Sequence, residues 1–331
     1  MTDLSRRKAI QMGLAGGAGL AMMSRSAWAQ ALPDAARIIV GFPPGGAPDL
    51  VARRAADQLI GKLARAVIVD NRPGAGGRIA ADIARQAPTD GLTLLLNPAG
   101  MLVINPHIYK KLNYEPFKDF TPLSLAAIVD FGFGVGPGVP AQVQTLADFA
   151  AWAKANPGRI SYGSPAAGSP PHFVGDALNR SLGLGMAHIP YRGGAPALTD
   201  LVGGRLDALV LTLGDMVQHA RAGKLRLLAS TGPARSRFSP QVPTFAEQKV
   251  AGLDHRDWFG MYIAGKPSPA ALSRVTPVVR SALSSRDFVL ALNNSGIEAA
   301  AGSAQELDLL ARADSDYWAP IVKASGFVAD S

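Results

Sequence analysis

Short apolar runs alternate with helical patterns along most of the chain, and this alternation limits the fold more than any other feature. The runs at residues 37–42, 66–69 and 92–96 are interpreted as strands, and helical patterns follow the first two. Such alternation is typical of an α/β sheet with parallel strands. The pattern starts again after Pro140, and a chain of 331 residues is long enough for two α/β lobes. No flexible linker separates them, so we expect strands that cross between the lobes.

Residues 1–29 have the pattern of an export signal. Residues 5–8 are basic with paired arginines, residues 9–23 are uncharged, and residues 27–29 match an A-x-A cleavage site. The glycines in the uncharged stretch favour a twin-arginine signal. An N-terminal membrane anchor is the alternative, although about 15 apolar residues are few for a bilayer span. We therefore expect an exported chain that is cleaved after Ala29.

The composition excludes several classes of site. The chain has no cysteine, which excludes disulfides, Cys-ligated zinc, iron–sulfur clusters and thiol nucleophiles. The formal net charge is +8 for the whole chain and about +5 after residue 29, where it is spread without a basic run, so no nucleic-acid partner is predicted. The five histidines show no ligand spacing, and we predict no metal and no cofactor.

The loop from Phe42 to Asp49 follows the first strand and opens a helix. Ligands of open α/β sheets bind beyond the carboxyl ends of the strands. Gly45 and Gly46 have no Cβ, so an anion can approach their N–H groups at the positive end of the helix dipole. We expect unpaired N–H donors here and Asp49 at the N-cap. The alternative is that the glycines only make the turn and Asp49 only caps the helix.

A second loop, residues 163–172, also lies between a strand and a helix. It offers hydroxyl groups, but Pro170 and Pro171 have no N–H to donate. A third loop, residues 191–194, carries Arg192, which either pairs with a carboxylate or is a solvated loop residue. Together the loops predict two facing half-sites, one on each lobe.

An exported hydrolase or transferase is the competing function. It would use Ser164 or Ser169 as nucleophile with His172 as base, but no orienting carboxylate is evident in that loop. The G-x-S-x-G and H-E-x-x-H motifs are absent, so we expect no enzyme. His188 is interpreted as a satisfied structural histidine, and the alternating glycines at 132–138 as turns.

A series of motifs, in order and without large gaps, resembles the Bug family, the periplasmic solute receptors of tripartite tricarboxylate transporters. The motifs are Phe42-Pro43-Pro44-Gly45-Gly46-x-x-Asp49, Asn71-Arg72-Pro73-Gly74-Ala75-Gly76-Gly77, Asn105-Pro106-x-x-Tyr109, Pro190-Tyr191-Arg192-Gly193, Ala222-Gly223-Lys224-Leu225-Arg226 and Trp258-Phe259-Gly260. The resemblance covers about residues 35–325.

The resemblance implies a type II periplasmic-binding-protein fold of two α/β lobes joined by crossing hinge strands. It divides the chain into the signal, a discontinuous first lobe of residues 30–130 and 257–331, and a second lobe of residues 131–256. It further implies a monomeric periplasmic receptor that binds a small organic carboxylate and delivers it to membrane transporter subunits. A receptor of this fold that feeds a sensor kinase remains an alternative.

The ligand-binding residues that the resemblance implies lie on both lobes. They are Phe42, Pro44, Gly45, Gly46, Ala47, Pro48, Asp49, Ala99, Gly100, Ser164, Ala167, Gly168, Ser169, Pro170, His172, Tyr191, Arg192, Gly193, Leu213 and Asp215. Pro48 and Pro170 stand where small or hydroxyl residues are common in the family, and residues 211–215 lack the usual Asp-Asn pair. A less polar pocket favours an aromatic or partly apolar carboxylate, with a small dicarboxylate as the alternative.

Overall fold

The computed structural model describes residues 32–329. The predicted signal and its cleavage site after Ala29 lie outside these residues. In the part of the chain that is described, no helix is both long and apolar enough to cross a membrane.

The order of strands and helices follows the predicted alternation. The strands are β1 (Ala35–Val40), β2 (Ala66–Asn71), β3 (Thr93–Pro98), β4 (Phe120–Val129), β5 (Phe131–Val135), β6 (Ser161–Ser164), β7 (Ala187–Pro190), β8 (Ala208–Thr212), β9 (Arg226–Ser230), β10 (Asp257–Ala264) and β11 (Glu298–Ala299). The helices are α1 (Ala47–Leu59), α2 (Arg78–Arg85), α3 (Gly100–Val103), α4 (Asn105–Ile108), α5 (Pro116–Asp119), α6 (Leu146–Ala155), α7 (Pro170–Leu182), α8 (Gly194–Val202), α9 (Leu213–Arg221), α10 (Pro269–Leu283), α11 (Arg286–Asn294) and α12 (Ala304–Ser325).

The strands form two sheets, and this confirms the predicted α/β fold class. One sheet has the order β11-β4-β10-β3-β1-β2 and the other has the order β7-β6-β8-β5-β9. Both sheets are mixed rather than parallel, because β10 runs antiparallel to β3 and β4, and β5 runs antiparallel to β8 and β9. Each of these two strands follows a crossing from the other sheet, so no helical crossover within one sheet forces it to be parallel.

The chain crosses between the sheets at two places. The first crossing is the single residue Asp130, between β4 of one sheet and β5 of the other. The second is the segment 231–256, between β9 and β10. Arg256 Nε donates to the Asp130 carboxylate at 2.7 Å, and Thr231 Oγ1 accepts from the Phe131 N–H at 2.9 Å. The two crossings are therefore bonded to each other, as expected for paired hinge strands.

The glycines at 132–138 were predicted as turns, and this is wrong for the first two. Gly132 and Gly134 lie inside β5. A Cβ on Gly132 would lie 3.0 Å from side-chain carbons of Leu213 and Leu227, and a Cβ on Gly134 would overlap Met216. The glycines thus let side chains of α9 and β9 pack directly on the strand.

Some elements were not predicted, namely β4, β5, β11, α11 and the short helices α3, α4 and α5. The start of α11 is hard to see because only two residues separate it from α10. Ser285 caps it, with its Oγ accepting from the Phe288 N–H at 3.3 Å. Thr145 and Asp148 form a capping box at the start of α6, where each side chain accepts from the backbone N–H of the other residue.

Candidate functional site

The first loop joins β1 to α1, and a buried carboxylate holds it together. Asp49 was predicted as the N-cap, but this is wrong: Gly46 is the N-cap, and Asp49 is the third residue of α1. The Asp49 carboxylate accepts from Gly45 N at 3.0 Å, Arg53 Nε at 2.9 Å and Asn71 Nδ2 at 2.9 Å. Burial raises the pKa of this carboxyl, but these hydrogen bonds outweigh it and hold the pKa below its usual value.

Because of these bonds, fewer backbone N–H groups of the first loop are free for a ligand than the sequence predicted. The Gly45 N–H, expected to be unpaired, is donated to Asp49. Gly45 has a φ of +92°, a left-handed conformation that favours glycine, and this directs its N–H toward its own helix. Asn71 also donates to the Phe42 carbonyl at 3.0 Å, so the end of β2 fixes the start of the loop. The sequence analysis missed the role of Asn71 as an anchor of the loop, although Asn71 begins the motif at residues 71–77.

The second loop joins β6 to α7. Ser169 is the N-cap, its Oγ accepting from the His172 N–H at 3.4 Å and donating to the Ala166 carbonyl at 2.7 Å. Pro170 and Pro171 occupy the first two helical positions. The start of α7 therefore lacks two of the N–H groups that a helix usually presents there.

Two stacked histidines lie behind the second loop, with ring centroids 3.9 Å apart. His172 Nδ1 accepts from the Gly168 N–H at 3.1 Å, and His188 Nε2 lies 2.8 Å from Ser164 Oγ. Burial lowers the pKa of His172 to about 4, and burial together with the neighbouring His172 lowers that of His188 to about 3. Both rings are thus neutral at pH 7, and the predicted structural role of His188 is confirmed.

This network lacks the pairing of Ser164 or Ser169 with the His172 ring that the hydrolase alternative requires. The hydroxyls of Ser164 and Ser169 both donate to the Ala166 carbonyl. The ring of His172 accepts from the Gly168 N–H, and its hydrogen bond is to neither serine. Within residues 32–329, no group of three or more His, Asp or Glu side chains is placed to hold a metal ion.

The loops of the two sheets meet face to face. A Cβ on Gly193 would overlap Pro43, and one on Gly100 would lie 2.8 Å from Pro170 Cδ. The Ala47 N–H donates across the same gap to Asp215 Oδ2 at 3.4 Å. The structure thus brings together the first loop, residues 99–100, the second loop, residues 191–194 and the start of α9.

Two of the predicted residues make hydrogen bonds to residues outside the facing loops. The Tyr191 hydroxyl donates to Asp200 of its own lobe at 3.0 Å, and the Leu213 N–H donates at 2.8 Å to the carbonyl of Asp130, the first crossing. Arg192 is exposed, which favours the solvated interpretation of this residue. Phe327 was missed by the sequence analysis, yet its ring lies 5.0 Å from that of His172 and beside Gly168.

A cavity of about 370 Å³ opens where the first loop meets α8 and α9. Gly45 forms one wall, apolar side chains such as Leu198 and Leu211 form another, and Asp215 and His219 are its titratable groups. Burial raises the pKa of Asp215 to about 7, against a small opposite effect of the Ala47 N–H. The gap between the loops is therefore continuous with a mostly apolar cavity.

Known proteins share this sequence and architecture. Residues 51–327 match the family model described as "Tripartite tricarboxylate transporter family receptor". The chain belongs to this receptor family. The protein BugT of Bordetella pertussis is 30% identical to this member of the family, over 88% of this chain and 89% of BugT. As a member of this family of solute-binding proteins, the chain is a receptor and not an enzyme.

Two solved structures show the same architecture with ligands named in their descriptions. An R. palustris protein solved with adipate is 28% identical to this family member, with a TM-score of 0.84 over 91% of this chain and 99% of that one. MatC from Rhodopseudomonas palustris, solved with bound malate, is 26% identical, with a TM-score of 0.80 over 87% of this chain and 99% of that one. The receptor fold of this family member is therefore the one seen in both.

Proposed function

We propose that this chain is a periplasmic solute-binding receptor that captures a small organic carboxylate between its two lobes. The observation that carries the proposal is the meeting of two strand-to-helix loops from different sheets, at the point where Ala47 contacts Asp215 and Gly100 faces Pro170. Adipate and malate, the ligands of the two solved relatives, are both carboxylates. The predicted ligand-binding residues are proposed here as the two half-sites.

The proposed binding step is closure of the lobes about the two crossings. Lobe 1 comprises residues 30–130 and 257–331, and lobe 2 comprises residues 131–256. A ligand that bonds both loops stabilises the arrangement in which the loops touch, because it binds the open form at only one of them. Exclusion of water from the gap strengthens its hydrogen bonds to backbone N–H groups.

Export and delivery complete the proposal. The signal at residues 1–29 would send the folded chain to the periplasm by the twin-arginine route, with cleavage after Ala29. The closed receptor would then dock on membrane subunits of a tripartite tricarboxylate-type transporter. Sequencing the N-terminus of the exported protein tests the cleavage site, which should leave Gln30 as the first residue. Replacement of Arg6 and Arg7 by lysine should block export.

The binding proposal is tested by calorimetry and thermal shift with aliphatic, aromatic, di- and tricarboxylates. A ligand at about 100 times its Kd should stabilise the protein by about 2.7 kcal/mol. Uncharged analogues of the same shape, such as the matching amides, are the controls. The proposal is wrong if no carboxylate at millimolar concentration raises the melting temperature or gives a binding heat.

A further inference from the structure

Asp215 differs from two other acidic residues at the same helical position. It is the third residue of α9, as Asp148 is of α6 and Glu306 is of α12. Asp148 and Glu306 turn back and accept from the N–H of their own N-cap residue, at 2.9 and 2.6 Å. Asp215 makes no such cap, and its carboxylate instead reaches across the gap to Ala47. Capping of α9 therefore does not explain the position of the Asp215 carboxylate.

The bonding of Asp215 is incomplete for a carboxylate in its position. Within the described residues its hydrogen bond is the 3.4 Å contact from the Ala47 N–H, at the long end of the range for such bonds, and it forms no ion pair. Asp49, on the facing loop, accepts from three donors that include Arg53. A carboxylate that accepts one long hydrogen bond beside mostly apolar walls has acceptor positions left over, and a donor on a ligand could occupy them.

The surroundings of Asp215 limit what such a ligand can be. Leu198, Val202 and Leu211 line the same cavity, and His219 is the other titratable group in its wall. Across the gap Arg53 is engaged with Asp49. Nothing in this wall is a fixed cation, so a second ligand carboxylate placed here would meet Asp215 without a compensating charge.

We propose that Asp215 is a specificity-determining residue, which selects carboxylates whose far end carries an N–H or ammonium donor over carboxylates whose far end is a second carboxylate. The inference rests on the proposed function and deepens it. The apolar walls hold the body of the ligand, and Asp215 accepts from its distal donor. A carboxylate with a distal methyl group should bind with intermediate affinity, because the methyl group neither repels Asp215 nor donates a hydrogen bond to it.

The test uses two matched series of ligands and isothermal titration calorimetry at pH 8, where Asp215, whose pKa is raised to about 7, is mostly ionised. The aliphatic series is 6-aminohexanoate, hexanoate and adipate, and the aromatic series is 4-aminobenzoate, 4-methylbenzoate and terephthalate. In at least one series the wild-type protein should bind the amine at least tenfold more tightly than the dicarboxylate. Asp215→Asn, which keeps the shape but removes the charge, should reduce this ratio to threefold or less.

Two further variants serve as a substitute for Asp215→Asn and as a control. Asp215→Ser repeats the test should the asparagine variant fold poorly, and Asp148→Asn controls for loss of an acidic residue at a helix start. The inference is overturned if carboxylates bind but the amine has no advantage in either series, or if the advantage survives in both Asp215 variants. If no carboxylate of these series or of the wider panel binds, the proposed function itself fails and this inference falls with it.

Discussion

The two loops that face each other have the same topology but are held by opposite chemistry. In the first loop an ionised carboxylate, Asp49, collects bonds from Gly45, Arg53 and Asn71. In the second loop the acceptor is neutral: the His172 ring accepts from the Gly168 N–H. Two prolines, which have no N–H, begin the helix that follows. A strand-to-helix loop can therefore be held in place by bonds that use N–H groups otherwise open to a ligand. The comparison also indicates that the two half-sites respond differently to mutation and to pH.

The largest expected effect comes from blocking the contact between the loops. Gly193→Val adds a side chain where a Cβ already overlaps Pro43, so the loops cannot meet and the affinity for any carboxylate that binds should fall at least 100-fold. Calorimetry measures the affinity. Overpacking of this kind costs about 1–3 kcal/mol, and the loss of one half-site adds to it.

Two other glycine variants separate closure from backbone strain. Gly158→Val imposes a left-handed conformation on valine, at a φ of +73°, but has nothing within 4 Å of its Cβ. It should lower stability and leave affinity within threefold of wild type. Gly100→Ala needs no unusual φ and still presses on Pro170. Unchanged affinity in both Gly193→Val and Gly100→Ala would show that the loops need not meet.

The next effect concerns the acidic centre of the first loop. Asp49→Ala removes three hydrogen bonds and leaves Gly45 and Asn71 donors without their partner. We expect a loss of about 2–3 kcal/mol in the free energy of unfolding by urea, and at least a tenfold loss in affinity. Asp148→Ala, an acidic helix-start residue far from the loops, should leave affinity unchanged. Equal affinities in the two variants would mean that Asp49 does not shape the half-site.

The buried, neutral His172 of the second loop should make the stability of the protein depend on pH. The folded pKa of His172 is about 4, below the unfolded value near 6.5, so the unfolded state binds more protons between these values. Stability from this residue is complete above pH 6.5 and falls as the pH drops toward 4, by up to about 1.4 kcal/mol per pH unit.

The measurement compares urea unfolding of wild type and His172→Phe from pH 4.5 to 7.5. The comparison is needed because burial raises the pKa of Asp215 and of Asp257 to about 7, which gives the opposite slope in the same range. The variant lacks the acceptor for the Gly168 N–H and should be less stable by about 1–3 kcal/mol at pH 7.5. That deficit should shrink as the pH falls. A deficit independent of pH would show that His172 is not buried in its neutral form.

The smallest effect is expected at the cap of α7. Ser169→Ala removes the side chain that accepts from the His172 N–H, and should cost about 1 kcal/mol of stability. Affinity should change less than threefold, because Ser169 serves its half-site as the cap of α7 and its hydroxyl already donates to Ala166. A loss of affinity larger than that for Asp49→Ala would reverse the ranking of the two loops.

Much of this architecture could be predicted, because strands and most helices follow from local periodicity and caps. The crossing at Asp130 could be expected but not located, since glycines in β5 hide a strand whose partners come from distant segments. In the site, the glycine and proline positions show where loops lie. The partner of each N–H depends on tertiary contacts, and for this reason Asp49 was placed at the wrong position and Asn71 and Phe327 were missed.

The central claim is that a carboxylate holds the two loops together, and an inter-lobe distance tests it most directly. The chain has no cysteine, so Lys62→Cys and Lys154→Cys, at exposed positions on opposite lobes, can carry a spin-label pair without interference. Pulsed electron paramagnetic resonance should show a broad or longer distance without ligand. Saturating carboxylate should shift it to one narrow distance that matches the closed arrangement. A distribution that stays the same while calorimetry reports binding would contradict the account.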